Sequence, residues 1–80
     1  MLFKKGNVIM RVNASSLGYA INIGDICIVL DHPNVFRVMP LTGLAVNKNN
    51  VSWMPYEVDF IKISDTIEDL PLLYRLVCAI

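Results

Sequence analysis

The pattern of apolar and polar residues predicts short β-strands along the first 63 positions of the chain. Runs rich in β-branched residues predict strands at 8–12, 26–30, 35–39 and 58–63. Two more short apolar runs, 44–46 and 51–54, flank a predicted turn. The run 26–30 is almost entirely apolar, which is typical of a central strand buried on both faces. Short strands joined by turns predict a mainly β protein, a small five-stranded antiparallel barrel over residues 1–63.

The periodicity changes after residue 63, and this change predicts a second unit over 64–80. Asp69 and Pro71 are typical of the first turn of a helix. The apolar residues that follow have helical spacing and share one face: Leu72, Leu73, Leu76, Val77 and Ile80. A helix of about ten residues is marginally stable in isolation. We therefore expect this short amphipathic C-terminal α-helix to pack either on the barrel or on a partner.

The composition indicates more apolar surface than a small core can enclose. The chain has 80 residues, which is enough for one domain, and 55% of them are apolar or aromatic. Typical globular chains are nearer 45–50% apolar, and a domain of this size buries only roughly 60% of its surface. We therefore expect part of the apolar surface to be shared with a protein partner or with a second copy of the chain. The same composition excludes a disordered chain.

The charges cancel over the whole chain but not within each part of it. Residues 1–50 carry a net charge of +3 and residues 51–80 a net charge of −3, which gives zero overall. A neutral protein is not a general binder of polyanions. The asymmetry predicts either two oppositely charged faces or charges that interleave once the chain has folded.

Three segments resemble Src-homology-3-like small barrels, a group that includes KOW-type domains and short phage or bacterial proteins. The first is Phe-Lys-Lys-Gly-Asn-Val at 3–8, and the second is Ile-Gly-Asp-Ile-Cys-Ile-Val-Leu at 23–30. The third is Trp-Met-Pro-Tyr-Glu-Val at 53–58. The resemblance covers residues 3–63 and implies the barrel fold, whereas Cys27 stands where KOW-type domains have a second glycine. Such barrels bind peptides, nucleic acids or other subunits, so the resemblance implies no particular activity.

Residue types that support catalysis or metal binding are sparse. The single histidine, His32, lies in a predicted turn, and the Ser15-Ser16 pair has no basic partner at a recognisable spacing. Cys27 and Cys78 are far apart in sequence, and we expect both to be reduced thiols in a cytoplasmic protein. The apolar stretch 70–80 is too short to span a membrane. We therefore predict a protein that is not an enzyme, with no cofactor, no metal site and no membrane association.

The best candidate binding residues belong to the predicted helix and to an aromatic pair. We predict that a protein partner contacts the apolar helix face (Leu72, Leu73, Leu76, Val77 and Ile80) together with Trp53 and Tyr56. Residue types encoded by AT-rich codons outnumber those encoded by GC-rich codons by 30 to 15. This bias suggests a phage or another AT-rich source. The sequence thus favours a small adaptor or inhibitor that docks on a host protein or on itself.

The sequence is also compatible with two other functions. A KOW-like module would bind RNA or DNA through basic residues with interleaved aromatic residues. Its candidate contacts are Lys4, Lys5, Arg11, Arg37 and Lys48. The third possibility is a structural subunit, in which the apolar surface is an assembly face.

Overall fold

A computed structural model describes residues 2–13, 21–30, 36–43 and 57–78, and these form a mainly β structure with one short helix. The strands are β1 (Val8–Arg11), β2 (Ile26–Val29), β3 (Val38–Pro40) and β4 (Phe60–Ser64). A 3-10 helix, Glu57–Asp59, precedes β4, and the α-helix α1 is Leu72–Arg75. The strands form an open antiparallel sheet in the order β3-β2-β1-β4.

The register of the sheet places β1 between two partners. Ile9 is opposite Cys27 of β2 on one side and Lys62 of β4 on the other. The pairing with β4 shifts between Val8 and Ile9, as at a β-bulge. Hydrogen bonds continue beyond the β1–β2 ladder, because the Gly6 N–H donates to the carbonyl oxygen of Val29 at 2.9 Å.

Both faces of the sheet carry a hydrophobic core. The first core consists of Phe3, Ile9, Ile21, Cys27, Val29, Phe36, Val38 and Phe60. The second core consists of Val8, Ile26, Leu41 and Leu70, with partly buried neighbours that include Met10, Ile28, Met39, Ile67, Tyr74 and Cys78. Successive residues of β2 contribute to opposite cores because side chains alternate along a strand. The prediction that 26–30 forms a central strand with both faces covered is therefore confirmed for Ile26–Val29.

The described strands do not close into a barrel. The described part of the chain contains four strands, and the predicted runs 44–46 and 51–54 lie outside the described residues. The strand predicted at 35–39 is shifted, since β3 is Val38–Pro40 and includes a proline. Proline is tolerated there because β3 lies at an edge of the described sheet. The neighbouring Leu41 N–H supplies a ladder bond, to the carbonyl oxygen of Ile26 at 2.7 Å.

The C-terminal helix is shorter than its sequence pattern suggests. Within the described part of this segment, which ends at residue 78, Leu72–Arg75 is α-helical and 76–78 continue as a turn. The Val77 and Cys78 N–H groups bond to carbonyl oxygens three residues back rather than four. Helices of this length depend on tertiary contacts. In this segment those contacts come from Leu70, Tyr74 and Cys78, which pack against the second core.

Candidate docking surface

The C-terminal segment exposes four large aliphatic side chains, which we call the C-terminal apolar face. They are Leu72 (71% exposed), Leu73 (80%), Leu76 (73%) and Val77 (63%). All four belong to the helix face that the sequence pattern identified. Single exposed apolar residues are ordinary on protein surfaces, but a group of four within six positions is an apolar patch of the kind that marks interaction sites.

The opposite side of this segment holds it on the sheet. Leu70 is 3% exposed and belongs to the second core, and Tyr74 and Cys78 pack against that core. The Arg75 guanidinium donates to the backbone carbonyls of Ile67 and Glu68. The segment therefore packs on the sheet while the C-terminal apolar face points away from it.

A turn before the helix is fixed by a short hydrogen-bond cycle. The Thr66 hydroxyl donates to an oxygen of the Asp69 carboxylate at 3.0 Å, and the Asp69 N–H donates to the Thr66 hydroxyl oxygen at 3.2 Å. The Ser64 hydroxyl donates to the Thr66 carbonyl at 2.7 Å. These bonds fix the path of the chain from β4 to Leu70, and so contribute to the orientation of the exposed face.

Acidic side chains border the C-terminal apolar face at its N-terminal end. Glu68 and Asp69 are both exposed. Asp65 precedes them and pairs with Lys62 at 2.6 Å. The hydrogen bond from Lys62, together with its charge, lowers the pKa of the Asp65 carboxyl, and Lys4 contributes less. The rim of the face is therefore negatively charged.

Three of the predicted nucleic-acid contacts lie at one end of the sheet. Lys4 and Lys5 are exposed in the turn before β1, and Arg37 is half-buried at the start of β3. The Leu30 N–H donates to the Arg37 carbonyl at 3.0 Å, while Gly6 pairs with Val29. Residues 5 and 37 thus flank the end of β2 on its two sides. The buried Nε of Arg37 has no hydrogen-bond partner among the described residues.

Arg11 lies in the interior, so the expectation that it contacts nucleic acid at the surface was wrong. Its side chain is 6% exposed and pairs with the fully buried Asp59, with 3.8 Å between Nη2 and Oδ2. Its Nε donates to the Asn13 carbonyl at 2.9 Å, and its Nη1 donates to the Ile21 carbonyl. The run Val-Ile-Met-Arg-Val at 8–12 contains no signal that distinguishes a buried arginine from an exposed one. Lys4 also lies near Asp65. Basic residues from 1–50 and acidic residues from 51–80 therefore interleave at these two places in the fold.

The two cysteines are free thiols on opposite faces of the sheet. Cys27 belongs to the first core and Cys78 packs against the second core. Burial, with smaller contributions from Asp25 and Cys78, raises the pKa of the Cys27 thiol to about 12. Burial also raises the pKa of Cys78. A disulfide between them would require one thiol to cross the sheet.

The remaining predicted contacts, Trp53, Tyr56, Ile80 and Lys48, lie outside the described residues, as does His32. The residues that hold the C-terminal segment were not predicted from the sequence. Leu70, Tyr74 and Cys78 are spaced by four, which is a helical stripe. The more strongly apolar residues beside them obscure that stripe in the sequence.

Comparisons with known proteins supply no family for this chain. No protein-family model matches the sequence, and no curated protein or solved structure shows a significant match. Within the described residues, no group of three potential metal-ligating side chains is present. The same part of the chain contains no helix with the length and apolar character needed to cross a bilayer. Function must therefore be argued from the surface itself.

Proposed function

We propose that this protein is a non-enzymatic binding module that docks on another protein through its C-terminal apolar face. One observation carries the proposal: four aliphatic side chains are 63–80% exposed on a segment whose other side is packed on the core. Burying a leucine or valine side chain fully is worth roughly 1.5–3 kcal/mol. A partner that covers this face gains that free energy without having to reorder the segment.

The C-terminal apolar face cannot pack against the described core unless other apolar side chains lose their contacts with that core. Turning the helix toward the sheet would expose Leu70 and remove Tyr74 and Cys78 from the second core. The free energy gained by covering the exposed face would be offset by the loss of these contacts. This balance supports a partner rather than an internal rearrangement.

The proposal extends to residues outside the described part of the chain. Ile80 continues the spacing of the face, and Trp53 and Tyr56 are the aromatic residues that we assign to the same partner contact. We also propose a cytoplasmic adaptor or inhibitor encoded by a phage or mobile element. We further propose that residues 1–63 form the five-stranded Src-homology-3-like barrel.

Affinity capture from the source cell tests the docking proposal. The bait is the tagged full chain, compared with Leu73→Gln plus Leu76→Gln. The matched control is Leu2→Gln plus Ile23→Gln, since these side chains are also exposed, at 68% and 61%, but lie outside the C-terminal segment. We expect the face variant to lose a partner that the control variant retains. If both variants capture the same proteins as the wild type, the face is not the docking site.

A second candidate function is nucleic-acid binding by the basic end of the sheet. It is favoured by the register, which brings Lys4, Lys5 and Arg37 to one end. It requires affinity for labelled RNA or DNA that falls steeply as salt rises. Lys4→Glu plus Arg37→Glu should abolish that affinity. A lack of binding at low salt would exclude this function.

A further inference from the structure

We infer that the partner of the C-terminal apolar face is a protein with an apolar groove whose rim carries lysine or arginine side chains. This inference rests on the proposed function and specifies its partner. Three features of the molecule support it: the extent of the face, the charges beside it and the spacing of its side chains.

The extent of the face argues against a second copy of this chain as the partner. An aliphatic side chain of this size offers on the order of 100 Å² of apolar surface, so the four residues offer roughly 300 Å² at their observed exposure. Two such faces in a symmetric pair would bury roughly 600 Å², whereas specific interfaces bury about 1,200–2,000 Å². A groove that receives the exposed side of the helix also covers its flanks, including the exposed Pro71. A concave partner therefore buries more of this segment than a flat pair does.

The charges beside the face indicate which charge the rim of that groove should carry. Glu68 and Asp69 are exposed, and among the described residues neither has an ion-pair partner. The only basic side chain within the described part of the segment, Arg75, donates to the carbonyl oxygens of Ile67 and Glu68. A parallel pairing of two copies would place acidic groups against acidic groups, and an anionic membrane would repel them. Basic side chains on the rim of the groove complement them.

The spacing of the exposed side chains fits insertion into a groove. Leu72, Leu73, Leu76 and Val77 occupy positions i, i+1, i+4 and i+5. Amphipathic helices bind in apolar grooves through side chains with this type of spacing. The packed side of the segment already fixes its orientation, so the partner does not have to fold it.

Photo-crosslinking in the source cell identifies what covers the face. The full chain carries a photo-reactive phenylalanine analogue at position 73, and the control chain carries it at position 2. We expect position 73 to crosslink to one other protein, at a peptide that contains both apolar and basic residues. A crosslink to another protein at a peptide without basic residues overturns the inference and leaves the docking proposal in place. A crosslink between two copies or to lipid overturns both. If position 73 captures nothing more than position 2, the proposed function fails as well.

The affinity for the captured protein then tests the charge argument. We expect Glu68→Lys to weaken binding by roughly fivefold at low salt and by less at high salt, because rim charges are screened. Lys5→Glu, an equally large change of charge at a residue outside the C-terminal segment, should alter the affinity little. Circular dichroism verifies that both variants are folded. If the affinities of wild type and Glu68→Lys are equal at low salt, the rim of the groove is not basic.

Discussion

The Arg11–Asp59 pair shows that a charged residue expected at the surface can instead form an ion pair in the interior of the fold. Both side chains are buried, and the Asp59 carbonyl also accepts N–H groups from Val12 and Asn13, at 2.7 and 3.2 Å. The pair thus joins the end of β1 to the 3-10 helix before β4. Removing one member of such a pair leaves an uncompensated charge in the interior.

Asp59→Asn should therefore destabilise the protein by about 3–5 kcal/mol. Urea unfolding followed by tryptophan fluorescence measures this change. Lys62→Gln, which breaks the exposed Lys62–Asp65 pair, is the matched control and should leave the free energy of unfolding nearly unchanged. Equal effects of the two substitutions would contradict a structural role for the buried pair.

Cys27 should resist thiol reagents in the folded protein because its pKa is raised to about 12 and its side chain is buried. Cys78 is half-buried and should react first. Mass spectrometry after labelling at pH 8 should show one modified thiol in the native protein and two in urea. Rapid native labelling of Cys27 would show that the first core opens easily.

The same shift predicts how stability depends on pH. The folded state holds the Cys27 proton up to about pH 12, whereas the unfolded chain releases it near pH 9. The stabilisation by the neutral thiol is therefore complete below pH 9 and is lost between pH 9 and 12. Chemical unfolding across this range should show falling stability, and Cys27→Ala should reduce the slope. An unchanged slope in that variant would assign the pH dependence to other groups.

At the level of elements, the segment that enters β2 and the segment that leaves β3 meet in a close approach of Gly43 to Asp25. The Asp25 carboxylate accepts the Asn22 N–H at 2.8 Å and the Thr42 hydroxyl at 3.2 Å. A Cβ atom on Gly43 would lie 2.5 Å from an oxygen of that carboxylate, and the glycine has φ of +83°. Both the backbone conformation and the space exclude a side chain.

Gly43→Ala should consequently destabilise the protein more than Gly6→Ala. Gly6 has φ of +90°, but a Cβ atom added to it would have no neighbour within 4 Å, so its substitution carries only the conformational cost, about 1–2 kcal/mol. Thermal unfolding of the two variants measures the difference between their melting temperatures. That difference gives the additional cost of the steric contact between the new Cβ atom and Asp25. Equal melting temperatures would mean that the carboxylate moves aside freely.

The two sides of the C-terminal segment should respond differently to truncation. Leu70→Ala removes a side chain from the second core and should cost about 2–5 kcal/mol. Leu76→Ala removes one that is 73% exposed and should change stability by less than about 0.5 kcal/mol. Urea unfolding of both variants checks this contrast. A large loss in Leu76→Ala would place that side chain in a contact with the protein's own core.

Over the complete chain, the surplus of apolar residues that the composition indicates appears as exposed apolar side chains. It does not appear as a total accessible surface larger than a monomer of this mass should have. The accessible surface is 4962 Å², close to the roughly 4,900 Å² expected for a monomer of this mass. The described residues nevertheless include eight exposed large hydrophobic side chains, and half of them form the C-terminal apolar face. The surplus is therefore concentrated where a partner can cover it.

A neutral net charge combined with this face should limit solubility. Molecules without net charge do not repel one another, and exposed apolar patches then promote association. We expect solubility to be lowest near neutral pH and to rise in Leu73→Gln plus Leu76→Gln, as measured by the protein remaining in solution after concentration. If that variant precipitates as readily as the wild type, another surface causes the association.

The amino-acid sequence alone was enough to predict the local elements. Runs of β-branched residues identified the strand regions, and the nearly continuous apolar run at 26–30 identified the central strand. The apolar spacing after Pro71 identified which side chains of the C-terminal segment share a face. These properties depend on neighbours within a few residues, which is why a linear pattern contains them.

Only the tertiary structure decided which of these side chains are covered. It packed the Leu70, Tyr74 and Cys78 stripe on the sheet and left the more apolar face in solvent. It also placed Arg11 opposite a carboxylate nearly fifty residues away in the chain. Both outcomes follow from contacts between segments that are distant in the chain. The fold buries apolar side chains and pairs charges across these segments, and a local sequence pattern does not include such contacts. They determine which surface this protein presents to a partner.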